Sequence, residues 1–280
     1  MRRSRDSVWK GHAFVWKRPP GWVGVLKAWL GPRFGPAGIE ALRPGLERDL
    51  CWDDTAWLDL LETALAVDLE DAVDELADDL RHAVLRTYHG TRTIDAGIFH
   101  REGLKVHDRR AMTERLRHLV DAHDELATLR GDALARAIAE VDNRTDDGRL
   151  HVVADDQFLL DHAAHYLIYG SEWVAAVLGE GNRRFLRTQG APTLLEIDLP
   201  LRMAGPRSRQ EFAKAMLREW ARLTCNEADW SAPIDFAFCL HVDIPPACVV
   251  GHTHPTEFRD PLDRRAIYVS DVTTCMGCGG

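Results

Sequence analysis

The stretch Thr87-Tyr88-His89-Gly90-Thr91-Arg92 gathers an imidazole, a residue without a side chain and a hydroxyl at the end of one apolar run. An imidazole so placed can hydrogen-bond a sugar hydroxyl, and a glycine lets a flat ring approach its backbone N–H and C=O. Taken alone, a His-Gly pair reads more simply as a turn. Two further groupings are of metal-ligand type. Gly251-His252-Thr253-His254-Pro255 sets two imidazoles two residues apart, so that on a strand they face the same side and could share a metal. Cys275-Met276-Gly277-Cys278 is a lone CxxC, half of a four-ligand zinc set, in a Gly-rich stretch that reads as a mobile end. No metal is expected. His162 and His165 form a looser pair that reads as structural. Among the acids, Glu172 interrupts the apolar run around Tyr169-Gly170-Ser171 and Trp173, where a carboxylate without a partner would be costly.

The elements that must position these groups follow from periodicity. Leu58, Leu61, Leu65, Leu69, Val73, Leu76, Leu80 and Val84 recur every three or four residues, which predicts an amphipathic helix over 53–86, or two broken near Asp68. The run into Tyr88 reads as a strand stopping at Gly90. Residues 94–104 predict a short helix closed by Gly103, and 109–141 a long charged helix that Gly131 divides. A polar turn, Asn143 to Gly148, leads to a strand at Leu150–Val153 and a mostly apolar helix over 155–178 with a break at Gly170. Leu194–Leu199 alternates and ends at Pro200, as a strand would, and 208–223 is amphipathic. Phe236–Ile244 and Cys248–Gly251 read as paired strands around Pro245-Pro246. Strands and helices interspersed in this irregular way indicate an α+β chain.

The bulk charge narrows the partners. A net charge of −9 argues against coating nucleic acid by electrostatics alone. Residues 1–35 hold eight Lys/Arg against one acid, whereas 49–80 hold twelve Asp/Glu and no Lys or Arg, so the basic arm is expected to lie against the acidic helix. The arm also carries Trp9, Trp16, Trp22 and Trp29 among several prolines, which need burial and exclude one long helix. Six cysteines without framework spacing suit a reducing compartment, and no apolar run reaches the ~18 residues that span a bilayer. A cytoplasmic protein without a membrane partner is the expectation.

The longer pattern, TYHGTR followed by Ile98 and then Glu102-Gly103-Leu104, resembles the first motif of ADP-ribosyltransferases, in the poly-ADP-ribose-polymerase and diphtheria-toxin-like branch. The resemblance is strong over 87–106 and weaker to about 252. It implies a split-sheet ADP-ribosyltransferase-type fold over 81–255, with 1–80 as an arm and acidic helical extension and 256–280 as a tail. It further implies that NAD is cleaved as co-substrate and ADP-ribose passes to a macromolecular acceptor, protein or nucleic acid. His89 would contact the adenosine ribose, the Gly90 backbone would clamp the nicotinamide amide, and Tyr88, Thr91 and Arg92 would lie beside them. Tyr166 or Tyr169 would stack on nicotinamide. The family's late-strand Glu has no counterpart in Phe236–Ile244, so the acid is sought at Glu172, then Asp235, then Glu257. That absence also suits a catalytically silent module that holds NAD or ADP-ribose. Gly251–Pro255 is similar to the His-x-His-Pro of metal-dependent isopeptidases, but that family's Ser and Asp positions carry Leu262 and Arg265 here.

Overall fold

A computed structural model describes residues 7–36, 38–42, 50–141, 147–226, 232–264 and 266–279. Arg2, Arg3 and Arg5 of the basic arm, and most of the turn expected at Asn143–Gly148, lie outside the described residues. The chain divides into two compact units, Met1–Arg86 with Asp198–Phe238, and Thr87–Ile197 with Cys239–Gly280. This differs from the division expected along the sequence. The segment around 206–226 returns to the N-terminal unit, and the C-terminal stretch belongs with the second unit rather than forming a separate tail.

In the first unit the arm is docked by its tryptophans. Trp9, Trp16, Trp22 and Trp29 are all at most 4% exposed. A buried indole needs a partner for its N–H, and three of these have one. Trp16 donates to the Ala232 carbonyl at 2.8 Å, Trp22 to the Trp16 carbonyl at 3.1 Å and Trp29 to Asp79 at 2.8 Å. The arm also contributes β1 (Ala13–Val15), which pairs in parallel with the start of β2 (Val84–Thr93). The predicted 53–86 helix is two helices, Ala56–Ala64 and Leu69–Leu80, and Asp68 caps the second by accepting from the backbone N–H groups of Glu70 and Asp71. The acidic helix is matched partly by the arm, through Arg33–Glu75 at 2.8 Å, and partly by the helix Pro206–Asn226, through Lys214–Glu70 at 3.0 Å. Inside that last helix Glu219 and Arg222 form a bidentate pair, both contacts 2.7 Å, with both residues 3% exposed.

The second unit is built on a sheet that continues β2 with β3 (Leu150–Val153), β4 (Ala191–Pro200), β5 (Ala237–Leu240) and β6 (Val249–Thr253), in the order β5-β3-β2-β4-β6. The β4–β6 and β2–β3 pairings are antiparallel, and with the helices this is an α+β architecture. A two-stranded hairpin follows, β7 (Glu257–Arg259) and β8 (Ile267–Val269). The expected pairing of Phe236–Ile244 with Cys248–Gly251 does not form. β5 lies beside β3 and β6 beside β4, at opposite ends of the sheet, because the intervening Ile244 bridges to Leu104 instead. The apolar stretch 155–178 is three helices rather than one: Asp156–His162, His165–Tyr169 and Glu172–Asn182. Gly170, with φ +80°, makes the second break, a left-handed conformation that suits glycine. Tyr88, Leu116, Val120, Leu159, Leu167, Ile168 and Leu178 form the core under these helices. Among the described residues no helix is long and apolar enough to cross a membrane.

Candidate functional site

Strand alternation sorts the first-motif residues onto two faces of β2. Tyr88, Gly90 and Arg92 face the helical core. Tyr88 is buried and pairs with Val153 of β3. A side chain on Gly90 would stand 3.0 Å from Leu159 and 3.3 Å from the β-carbon of Tyr166, so the glycine is required for close approach of the strand to those helices. Arg92 donates to the carbonyls of Leu167 and Arg187 and to the Tyr268 hydroxyl, and burial lowers its pKa from the ordinary arginine value. Thr87, His89 and Thr91 alternate to the other face. Thr87 is buried and donates to the Ile197 carbonyl at 3.3 Å, while Thr91 is half-buried.

His89 sits where β2 and β3 part. Among the described residues their ladder consists of the single pair Tyr88–Val153, and His89 Nδ1 lies 2.9 Å from the His151 carbonyl across the same join. A carbonyl only accepts, so Nδ1 carries the proton and Nε2 is the acceptor of the neutral ring. Burial holds the His89 pKa below the usual histidine value and so favours that neutral form, outweighing the His151 hydrogen bond, which acts in the opposite direction.

On the core side a second group of chemical residues meets Gly90. The Tyr166 hydroxyl donates to Glu172 Oε2 at 3.2 Å, and the His165 and Tyr166 rings lie 4.1 Å apart. His165 Nε2 is 3.9 Å from the same Glu172 oxygen. Both ring nitrogens of His165 are buried without a hydrogen bond among the described residues, and its pKa is lowered by burial more than Glu172 raises it. A buried polar group in that condition asks for a water or a ligand. The sequence favoured a satisfied structural role for His165, and among the described residues no hydrogen-bond partner satisfies its ring.

Other sequence-predicted residues are placed differently from expectation. Glu172 is not an isolated acid inside an apolar helix. It is the first residue of Glu172–Asn182, behind the N-cap Ser171, with its side chain 44% exposed, where the helix dipole favours a carboxylate. Tyr169 does not present a ring to a ligand. It is 3% exposed, donates to Asp260 at 2.5 Å and accepts from Arg187 at 2.8 Å. Asp235 is exposed and belongs to the first unit, whereas His89 and Tyr166 belong to the second. Glu257 is exposed on β7, across from Val269.

The two metal-type groupings, separate in the sequence, come together. The ligand atoms of His252, His254, Cys275 and Cys278 all lie within 4.8 Å of one another. The CxxC is thus packed against β6 rather than standing as a free end. Its backbone is also held, since the Met276 N–H donates to the Ile94 carbonyl at 2.9 Å. A residue the sequence reading passed over, His100, joins the group through a 3.0 Å contact between its Nε2 and His252 Nδ1. Comparison with protein-family models, with curated proteins and with solved structures finds no match for this chain.

Proposed function

We propose that the second unit binds NAD where β2 and β3 part and is an ADP-ribosyltransferase, releasing nicotinamide and passing ADP-ribose to a macromolecular acceptor. The observation that carries this reading is the placement of the strand bearing Tyr88–Arg92. It is central, with β3 and β4 on either side, and its His89 lies at the parting in a form that accepts at Nε2. Gly90, Tyr166, Glu172 and His165, whose ring nitrogens make no hydrogen bond among the described residues, gather on the opposite face of the same strand.

In this reading His89 receives a ribose hydroxyl, the Gly90 backbone holds the nicotinamide amide, and Tyr166 stacks on the nicotinamide ring, with Thr91 and Arg92 supporting the strand. Glu172, oriented by the Tyr166 hydroxyl, stabilises positive charge that develops on the ribose as nicotinamide leaves. Within the second unit Glu257 is the remaining candidate for that charge. The second reading, a silent module that holds NAD or ADP-ribose for a partner, is favoured by β5, whose Ala237-Phe238-Cys239-Leu240 carries no acid.

The test is release of free nicotinamide from NAD, with and without cell lysate as acceptor, together with calorimetric titration of NAD. Glu172→Gln is expected to lower turnover and leave binding nearly intact, because the carboxylate acts on charge present in the transition state. His89→Ala is expected to weaken binding by about 1–3 kcal/mol, the cost of an unpaired polar partner. Equal NAD affinity for wild type and His89→Ala overturns the placement. Binding without any nicotinamide release supports the silent module.

A further inference from the structure

We propose that His252 and His254 of β6, with Cys275 and Cys278 of the C-terminal CxxC, form a four-coordinate structural zinc site. The proposal does not rest on the NAD reading. Zinc–sulfur bonds of about 2.3 Å and zinc–nitrogen bonds of about 2.0–2.1 Å, arranged tetrahedrally, separate two sulfurs by about 3.8 Å and a sulfur from a nitrogen by about 3.6 Å. In the protein the two Sγ atoms are 3.8 Å apart. Cys278 Sγ lies 3.5 Å from His252 Nε2 and 3.2 Å from His254 Nε2, and Cys275 Sγ lies 4.0 Å from His252 Nε2. These four distances are close to tetrahedral edges, and all four ligand atoms lie within 4.8 Å of one another. The sulfur separation is not that of a disulfide, whose sulfurs stand about 2.0 Å apart.

The surroundings suit metal ligation. Both histidines offer Nε2, and each has its other nitrogen engaged. His254 Nδ1 donates to the Pro192 carbonyl at 2.7 Å, which fixes the tautomer that leaves its Nε2 free to ligate, and His252 Nδ1 lies 3.0 Å from His100 Nε2, a nitrogen able to take its proton. The sulfurs receive backbone N–H groups, from Ala96 to Cys275 at 3.3 Å and from Cys275 to Cys278 at 3.5 Å, which hold them in place. Gly277 fits the CxxC turn closely against the chain. A side chain there would stand 2.6 Å from the Gly97 backbone nitrogen. Binding is a ligand exchange without redox change: Zn²⁺ displaces one proton from each cysteine thiol, and both are released to solvent. With four protein ligands no position stays open for water, so the site joins β6, the C-terminal strand-and-turn segment and the Asp95–Gly97 turn rather than performing hydrolysis.

The experiment measures zinc in the full-length untagged chain by atomic emission after zinc loading and dialysis, followed by cobalt(II) substitution. One zinc per chain is expected. So is a cobalt spectrum with intense tetrahedral ligand-field bands and thiolate-to-cobalt charge transfer. Cys278→Ser and His254→Asn should each weaken binding at least about tenfold, and His100→Ala, which touches no metal, by roughly 10–100-fold. Wild-type protein that retains no stoichiometric zinc, or a Cys275→Ser/Cys278→Ser variant that holds zinc as tightly as wild type, overturns the assignment. Should the variants fail to fold, the wild-type cobalt spectrum decides: an octahedral spectrum without thiolate charge transfer also overturns it.

Discussion

Replacing Tyr169 by Phe separates a core role for this residue from a ligand-facing one. The Asp260 carboxylate is 1% exposed and has three donors: the Tyr169 hydroxyl at 2.5 Å, Arg187 at 2.7 Å and the Leu262 N–H at 2.9 Å. Burial, reinforced by Asp260, pushes the Tyr169 hydroxyl above the ordinary tyrosine range, so it remains a donor throughout neutral pH. Phe keeps the ring and leaves no cavity, and Asp260 keeps Arg187. The loss is therefore the hydroxyl's two hydrogen bonds to charged groups, to Asp260 and from Arg187, about 3–6 kcal/mol together, with the Arg187–Asp260 ion pair left in place. At about 2–4 °C per kcal/mol for chains of this size, the melting temperature should fall by about 6–24 °C. Differential scanning calorimetry of wild type, Tyr169→Phe and Asp260→Ala measures this, with the Asp260 variant losing more. Calorimetric titration should give unchanged NAD affinity for Tyr169→Phe. A melting temperature within a degree of wild type together with a clear loss of NAD affinity would refute the core role and return Tyr169 to the ligand.

Glu219→Ala should destabilise the first unit by about 3–5 kcal/mol in urea unfolding, because it removes the bidentate acceptor of the buried Arg222 guanidinium and the acceptor of the Ala232 N–H. Combining Glu219→Leu with Arg222→Met replaces both charges by apolar side chains and should recover most of that loss, and no recovery would argue against the ion-pair account. For pH dependence, the folded His89 pKa lies below the unfolded one, so the unfolded state takes up the proton first. Its contribution to stability is full above the unfolded pKa near 6.5 and is lost as pH falls through the folded pKa. Urea unfolding between pH 7.5 and 5 should show a shallower loss for His89→Gln than for wild type, and equal slopes would exclude His89 as a contributor. His165, lowered in the same direction by burial, adds a second contribution that His165→Gln should remove.

Local patterning determined much of the molecule. The Asp68 helix start and the Gly103 helix end form where side-chain period and turn chemistry place them, because those signals act within a few residues, whereas the strand through Tyr88 begins at Val84 and runs past its expected stop at Gly90 to Thr93. The α+β class and the burial of the arm tryptophans were legible for the same reason. Partner choice was not. Pro245-Pro246 marks a turn, but pairing across it loses to the Leu104–Ile244 bridge, a contact far apart in sequence. Glu172 looked like a buried acid because its neighbours are apolar. Gly170 ends one helix and Ser171 starts the next, so the acid emerges at a solvated helix start. The His-x-His and the CxxC were each visible as half a ligand set, and neither half reveals its complement. Only the tertiary structure, by returning the chain from the β7–β8 hairpin to β6, brings Cys275 and Cys278 to His252 and His254, since a tetrahedral site depends on distances that sequence spacing does not encode.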